Sequence, residues 1–178
     1  MALLLFMYRA MGGKVRIGKS EEEPPPPNVP ELDIILHEGA PYEITEIPDG
    51  QALSTIRIGV KNSGDSDITN CRVCIDAIDP VPAAIEVPIM LQEALYLPHM
   101  FPEILVDIAT QRGGMNQYRF SASLADGISE KPSVYLDDAT PRTLVVKVEA
   151  AECRQGASFK IWTDKEKHMH IKLISRIE

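Results

Sequence analysis

The chain has 178 residues, 44% hydrophobic and 25% charged, values that exclude a wholly disordered polymer and suit one well-filled core with a tail. Its 18 Lys and Arg against 26 Asp and Glu leave a net charge of -8, which repels phosphate, so no nucleic-acid partner is expected. Three cysteines cannot all pair within one chain and no Asn-x-Ser/Thr acceptor occurs, so nothing points to a secreted, disulfide-stapled module.

Charge is unevenly placed. Residues 1–20 hold Arg9, Lys14, Arg16 and Lys19 and no acid, leaving 14 cations against 26 acids in the remainder. Such asymmetry implies that the two parts face different surroundings. Residues 1–8 (MALLLFMY) are an unbroken apolar run, shorter than the about 20 residues of a spanning helix and without the charged start or cleavage site of a signal peptide. The run has the character of the end of a spanning helix with a cation-rich cytoplasmic flank, a truncated membrane anchor. A second reading is an interfacial anchor, with Leu3, Leu4, Leu5 and Phe6 in the lipid and Arg9, Lys14, Arg16 and Lys19 against anionic headgroups. The third is an apolar terminus docked on the domain or on a partner. Membrane proximity is favoured, which places the domain in the cytoplasm at the inner face of the membrane.

Residues 20–30 (SEEEPPPPNVP) cannot enter a helix or sheet interior, because proline lacks the amide hydrogen. Four successive prolines favour a polyproline II spacer. An SH3-type ligand is the lesser reading, since Glu21, Glu22 and Glu23 oppose it.

The domain, residues 31–178, opens with Leu32, Ile34 and Leu36 alternating with Asp33, Ile35 and His37, the period of a half-buried strand. Residues 41–47 (PYEITEI) predict a short edge strand closed by the turn Pro48-Asp49-Gly50. Ile56, Ile58 and Val60, a polar turn over 62–67, then Cys71, Val73, Ile75 and Ala77 predict two amphipathic strands that form the sheet nucleus. Over 79–102 the prolines at 80, 82, 88, 98 and 102 argue against a long regular element. The apolar residues there predict a connection crossing between sheets, with a helical turn over 90–96. Further strands are expected around Val106, around Tyr118 and Phe120 continuing to Ala122 and Leu124, over 134–136, over 143–150 with Leu144, Val146 and Val148 inward, over 158–163 with Trp162 outward, and around Ile171. Eight or nine short strands joined by turn chemistry read as an all-β, two-layer antiparallel sandwich with a non-globular N-terminal tail.

The strand-turn-strand STIRIGVKNSGDSDITNCRVCI, the strand PEILVDIA and the closing TLVVKVEAAECRQGASFKIW resemble the immunoglobulin-like β-sandwich domains of uncharacterised prokaryotic proteins, over about residues 31–175. The cystine and core tryptophan of antibody domains are absent as a set. The resemblance therefore implies a fold and a binding role, without a ligand.

Candidate chemistry is sparse. Cys71 and Cys74 lie three apart, on opposite faces of a strand, which argues against a shared metal or a disulfide and makes Cys71 a core residue and Cys74 an outward one. His168 and His170 share a strand face and could chelate zinc with a third ligand, but two ligands seldom suffice and no metal is assigned. Asp65 and Asp67 with Asp137 and Asp138 could meet at one rim to hold calcium, although turns favour aspartate without any ion. No serine elbow or phosphate-cradling glycine loop occurs, and Ser123 and Ser129 have no histidine at recognisable spacing. No catalytic residue and no cofactor are assigned. Trp162, Val145, Ile174, Ile35 and Leu105 fall at outward positions, where the second sheet or the crossover covers them or a partner does. Trp162, Leu97, Met100 and Phe101 are the candidate partner surface. The reading is a non-catalytic protein-interaction or scaffolding module that binds a protein partner or itself. The alternative is a calcium- or lipid-dependent C2-like membrane-binding domain, and an enzyme of unrecognised type comes third.

Overall fold

The computed structural model describes residues 29–83, 85–122 and 135–177. Ser123, Ser129, Leu124, Val134, and Leu3, Leu4, Leu5, Phe6, Arg9, Lys14, Arg16 and Lys19 with the membrane contact expected of them lie outside the described residues. Among the described residues no helix is long and apolar enough to cross a membrane.

Among the described residues there are eleven strands: β1 (Leu32–Ile35), β2 (Glu43–Glu46), β3 (Leu53–Asn62), β4 (Ile68–Asp79), β5 (Ile89–Leu97), β6 (Ile104–Arg112), β7 (Gln117–Phe120), β8 (Tyr135–Asp137), β9 (Arg142–Glu149), β10 (Arg154–Thr163) and β11 (Met169–Ile177). They form two antiparallel sheets packed as a sandwich. One has the order β1-β3-β6-β7-β8 with β2 also on β3, and the other the order β11-β10-β9-β4-β5. β1 pairs with the second half of β3 and β2 with its first half, so the two share one edge of β3 end to end.

Alternation fills the space between the layers, as the sequence predicts. Ile56, Ile58, Val60, Cys71, Val73, Ile75, Leu144, Val146, Val148 and Phe159 are wholly buried, and Phe120, from the far side of the first sheet, joins the same core. Burying side chains of this size contributes about 1.5–3 kcal/mol each, which is why period-two patterning decides the fold.

Two local expectations are corrected. No helical turn exists over 90–96; the segment is β5, paired to β4 through successive register shifts. The prolines bound this element instead of excluding it: Pro88 and Pro98 flank nine residues that contain none. The crossing between sheets is confined to the short loop 98–103 that follows. Ala77 is exposed and Ile78 takes the core position, because the β4-β9 pairing slips between Ile75 and Ala77. A bulge of this kind inserts one residue and turns all later side chains over.

Candidate functional site

The sandwich has two unlike ends. At one, Asn62 is buried and its amide Nδ2 donates to Ser66 O at 2.7 Å and Leu97 O at 2.9 Å, while its Oδ1 accepts from Gly64 N at 3.0 Å. One side chain thus ties the β3-β4 turn to the end of β5. Beside it, Asp67 accepts a hydrogen bond from Tyr96 Oη at 2.5 Å and one from His99 N at 3.0 Å, with His99 Nδ1 2.9 Å away. Tyr96 first, then His99, hold the Asp67 carboxyl down at about 2. The loop 98–103 is therefore anchored at its base. Its tip carries Met100, 89% exposed at a φ of 62°, and Phe101, 62% exposed.

Leu97, expected on the same surface, is corrected: it is 2% exposed and pairs opposite Ile68 in the core. It stands one residue after the outward Tyr96, so the strand period turns it inward. Trp162 lies at the far end of β10, half-buried, its ring stacked on His170 with centroids 5.3 Å apart. The two halves of the expected partner surface are thus at opposite ends of one sheet, and at the β5-β6 end it is Tyr96, Met100 and Phe101 that are exposed. Ile174 is exposed and Leu105 marginally so, while Ile35 and Val145 are half-covered.

The other end is polar and interlocked. Gln111 of β6 donates to Asp138 Oδ2 at 2.7 Å and to Met115 O at 3.1 Å, and accepts from Thr163 Oγ1 of β10 at 3.1 Å, which joins the two sheets. Lys167 Nζ also reaches Asp138 Oδ2, at 2.7 Å. Arg142, 6% exposed, donates to Asp137 Oδ2 at 2.6 Å and to Pro80 O at 3.2 Å. Burial pushes the neighbouring Tyr118 phenol up to about 12, against the opposing influence of Arg142.

The length of β4 separates the aspartates expected to form a calcium rim. Asp67 precedes β4, whereas Asp137 and Asp138 adjoin the start of β9, which pairs with the last residue of β4. About 35 Å of strand separates the pairs.

His170 bridges the sheets at the polar end. Its Nδ1 lies 3.1 Å from Glu43 Oε2 on β2, and its Nε2 lies 3.1 Å from Asp164 Oδ2 in the β10-β11 turn. Burial pulls its pKa down, but the hydrogen bonds to Asp164 and Glu43 outweigh this and leave it raised. His168 falls in the turn just before β11, with Nδ1 3.7 Å from Asp164 Oδ2 and 3.8 Å from Glu166 Oε2. One ligand atom each from Asp164, Glu166 and His168 lies within 4.8 Å of the others. The carboxylates missing from the two-histidine reading lie in the same short run, Asp164-x-Glu166-x-His168-x-His170, and the turn over 164–168 draws Asp164, Glu166 and His168 together.

Cys71 is buried in the core, as expected, and burial lifts its thiol to about 11. Cys74 is on the outward side but also buried, beside the exposed pairs Arg72-Glu149 and Lys147-Asp76, and burial raises its thiol too. An open cleft of about 440 Å³ lies where β1, β10 and β11 meet, lined by Glu31, Asp33, Cys153, Arg154 and Arg176 among others. Arg176 is already bonded to Asp33 there.

No protein-family model, no curated protein and no solved structure matches the chain.

Proposed function

We propose that the chain is a non-catalytic protein-interaction or scaffolding module of immunoglobulin-like type, cytoplasmic and held close to the inner membrane face by its apolar, basic N-terminal segment and proline-rich spacer. The supporting observation is the loop 98–103. Asp67 and Asn62 fix its base, while Met100 and Phe101 project into solvent at 89% and 62% exposure. A large thioether and an aromatic ring at an anchored loop tip contribute nothing to the core, and aromatic and methionine side chains are the types enriched at protein interfaces. A held loop also loses less entropy on binding than a free one.

The partner is a protein or a second copy of the chain. Light scattering and chemical crosslinking of the full chain test self-association, and the double variant Met100→Asp/Phe101→Asp is the decisive arm. Loss of the associated species with unchanged circular dichroism supports the reading; association that persists in the double variant refutes it. Liposome association that disappears on removing residues 1–19 supports membrane proximity, and association that survives the truncation overturns it.

A further inference from the structure

The β10-β11 turn brings nitrogen and oxygen donors close together. Donors that share one ion at about 2.1 Å stand about 3.0 to 3.4 Å apart for octahedral to tetrahedral angles. Asp164 Oδ2 is 3.7 Å from His168 Nδ1 and 3.1 Å from His170 Nε2, and Glu166 Oε2 is 3.8 Å from His168 Nδ1. Asp164, Glu166 and His168 offer atoms within 4.8 Å of one another, so side-chain movements of about 1 Å bring these three to ligand spacing; His170, close to Asp164 alone of the three, joins them through a larger turn of its ring.

Three further features prepare the group. Asp164 Oδ1 accepts the backbone N–H groups of Glu166 at 2.8 Å and His168 at 2.9 Å, which leaves Oδ2 facing the imidazoles, where it already meets His170 Nε2 at 3.1 Å. Glu43 sits behind His170, its Oε2 3.1 Å from Nδ1, and is itself fixed by Oε1 accepting Ile171 N at 2.8 Å. A carboxylate holding one ring nitrogen so that the other is presented outward is the arrangement that orients metal-binding histidines. Lys167, one of the two lysines in the turn, is paired with Asp138.

We propose that the turn binds a divalent first-row transition ion, with Asp164, Glu166 and His168 as ligands, His170 Nε2 as the fourth, and Glu43 as a positioning residue. Two imidazole nitrogens favour zinc, cobalt or nickel over calcium and magnesium, which take oxygen donors. The ion would fasten β2 of one sheet to β10 and β11 of the other through the Glu43-His170 link. It is independent of the apolar loop, which lies at the opposite end.

The test uses the full chain with zinc followed by calorimetry and cobalt followed by visible absorption and by emission of Trp162, the single tryptophan, stacked 5.3 Å from the His170 ring. One ion per chain and quenching of Trp162 by cobalt are expected. Glu166→Gln, at a side chain 81% exposed, and His168→Gln each weaken zinc at least about tenfold with unchanged circular dichroism, and Glu43→Gln weakens it about 10- to 100-fold. No binding at millimolar zinc overturns the proposal. So does zinc affinity unchanged in both Glu166→Gln and His168→Gln, which would place the ion elsewhere, for example at Cys153. Calcium binding as tight as zinc also overturns it.

Discussion

Replacing Gln111 with leucine tests whether the polar end holds the two sheets together. The side chain is 1% exposed and makes three hydrogen bonds: to Asp138, to Met115 O and from Thr163. The two neutral bonds are worth about 1 kcal/mol each and the one to a carboxylate about 1.5 to 3 kcal/mol. Leucine of similar size recovers about 1.5 to 2 kcal/mol through burial, so Gln111→Leu should cost about 2 to 3 kcal/mol. For a chain of this length the loss lowers Tm by about 5 to 10 °C. Urea denaturation followed by Trp162 fluorescence measures it. Thr163→Val should cost about 1 kcal/mol alone and almost nothing once Gln111 is leucine, a coupling of about 1 kcal/mol. A loss under 1 kcal/mol for Gln111→Leu, or strict additivity of the two changes, refutes the cross-sheet role.

Other outcomes follow from single features. A Cβ on Gly64 would stand 2.2 Å from Val29 O and 2.5 Å from Glu31 N, so Gly64→Ala must displace the chain entering β1, at a cost of about 1 to 3 kcal/mol by denaturation. Cys153, half-buried, should react with a disulfide reagent in the native state, while the buried Cys71 and Cys74 react only on unfolding. The folded-state values of Cys71, about 11, and Tyr118, about 12, lie above their ordinary values of 9.0 and 10.0. The unfolded chain therefore loses these protons first, and stability falls as pH rises from about 9 toward 12. Asp67 has the opposite sign: its value of about 2 lies below the ordinary 3.8, so its clamp on the loop is complete above about pH 4 and is lost as pH falls toward 2. The His99 amide resonance in NMR reports that loss.

The sandwich was legible because its strands bury one face, so Ile56, Ile58, Val60, Val73, Ile75 and the trio Leu144, Val146 and Val148 announce themselves by spacing. β5 was not, because the pairing slips repeatedly: Leu91 and Leu97 are buried, but Gln92, Glu93 and Ala94 between them all face out. Ala94, with a φ of 53°, marks the irregularity, and bulges erase the period-two signal that identifies a strand. For the same reason Leu97 passed for surface next to Tyr96. Met100 and Phe101 were legible because Pro98 and Pro102 interrupt sheet pairing around them, which leaves large apolar side chains there little core to enter. The Asp67 clamp, the Gln111 bridge and the approach of Glu43 to His170 join residues 29 or more apart in sequence. Only the register of two sheets brings such residues together, and no local pattern encodes that.

The separation of the two ends has a measurable consequence. Phe101 precedes β6 and Gln111 lies near its far end, so about 25 Å of strand stands between them, well beyond the 7 to 10 Å within which side-chain substitutions couple. Phe101→Asp should change stability by no more than about 0.5 kcal/mol, since the ring is 62% exposed. The double variant Gln111→Leu/Phe101→Asp should then equal the sum of the singles within about 0.5 kcal/mol in urea denaturation. A coupling above about 1 kcal/mol would mean that Phe101 packs onto the domain, so that its role is to stabilise the fold and not to meet a partner.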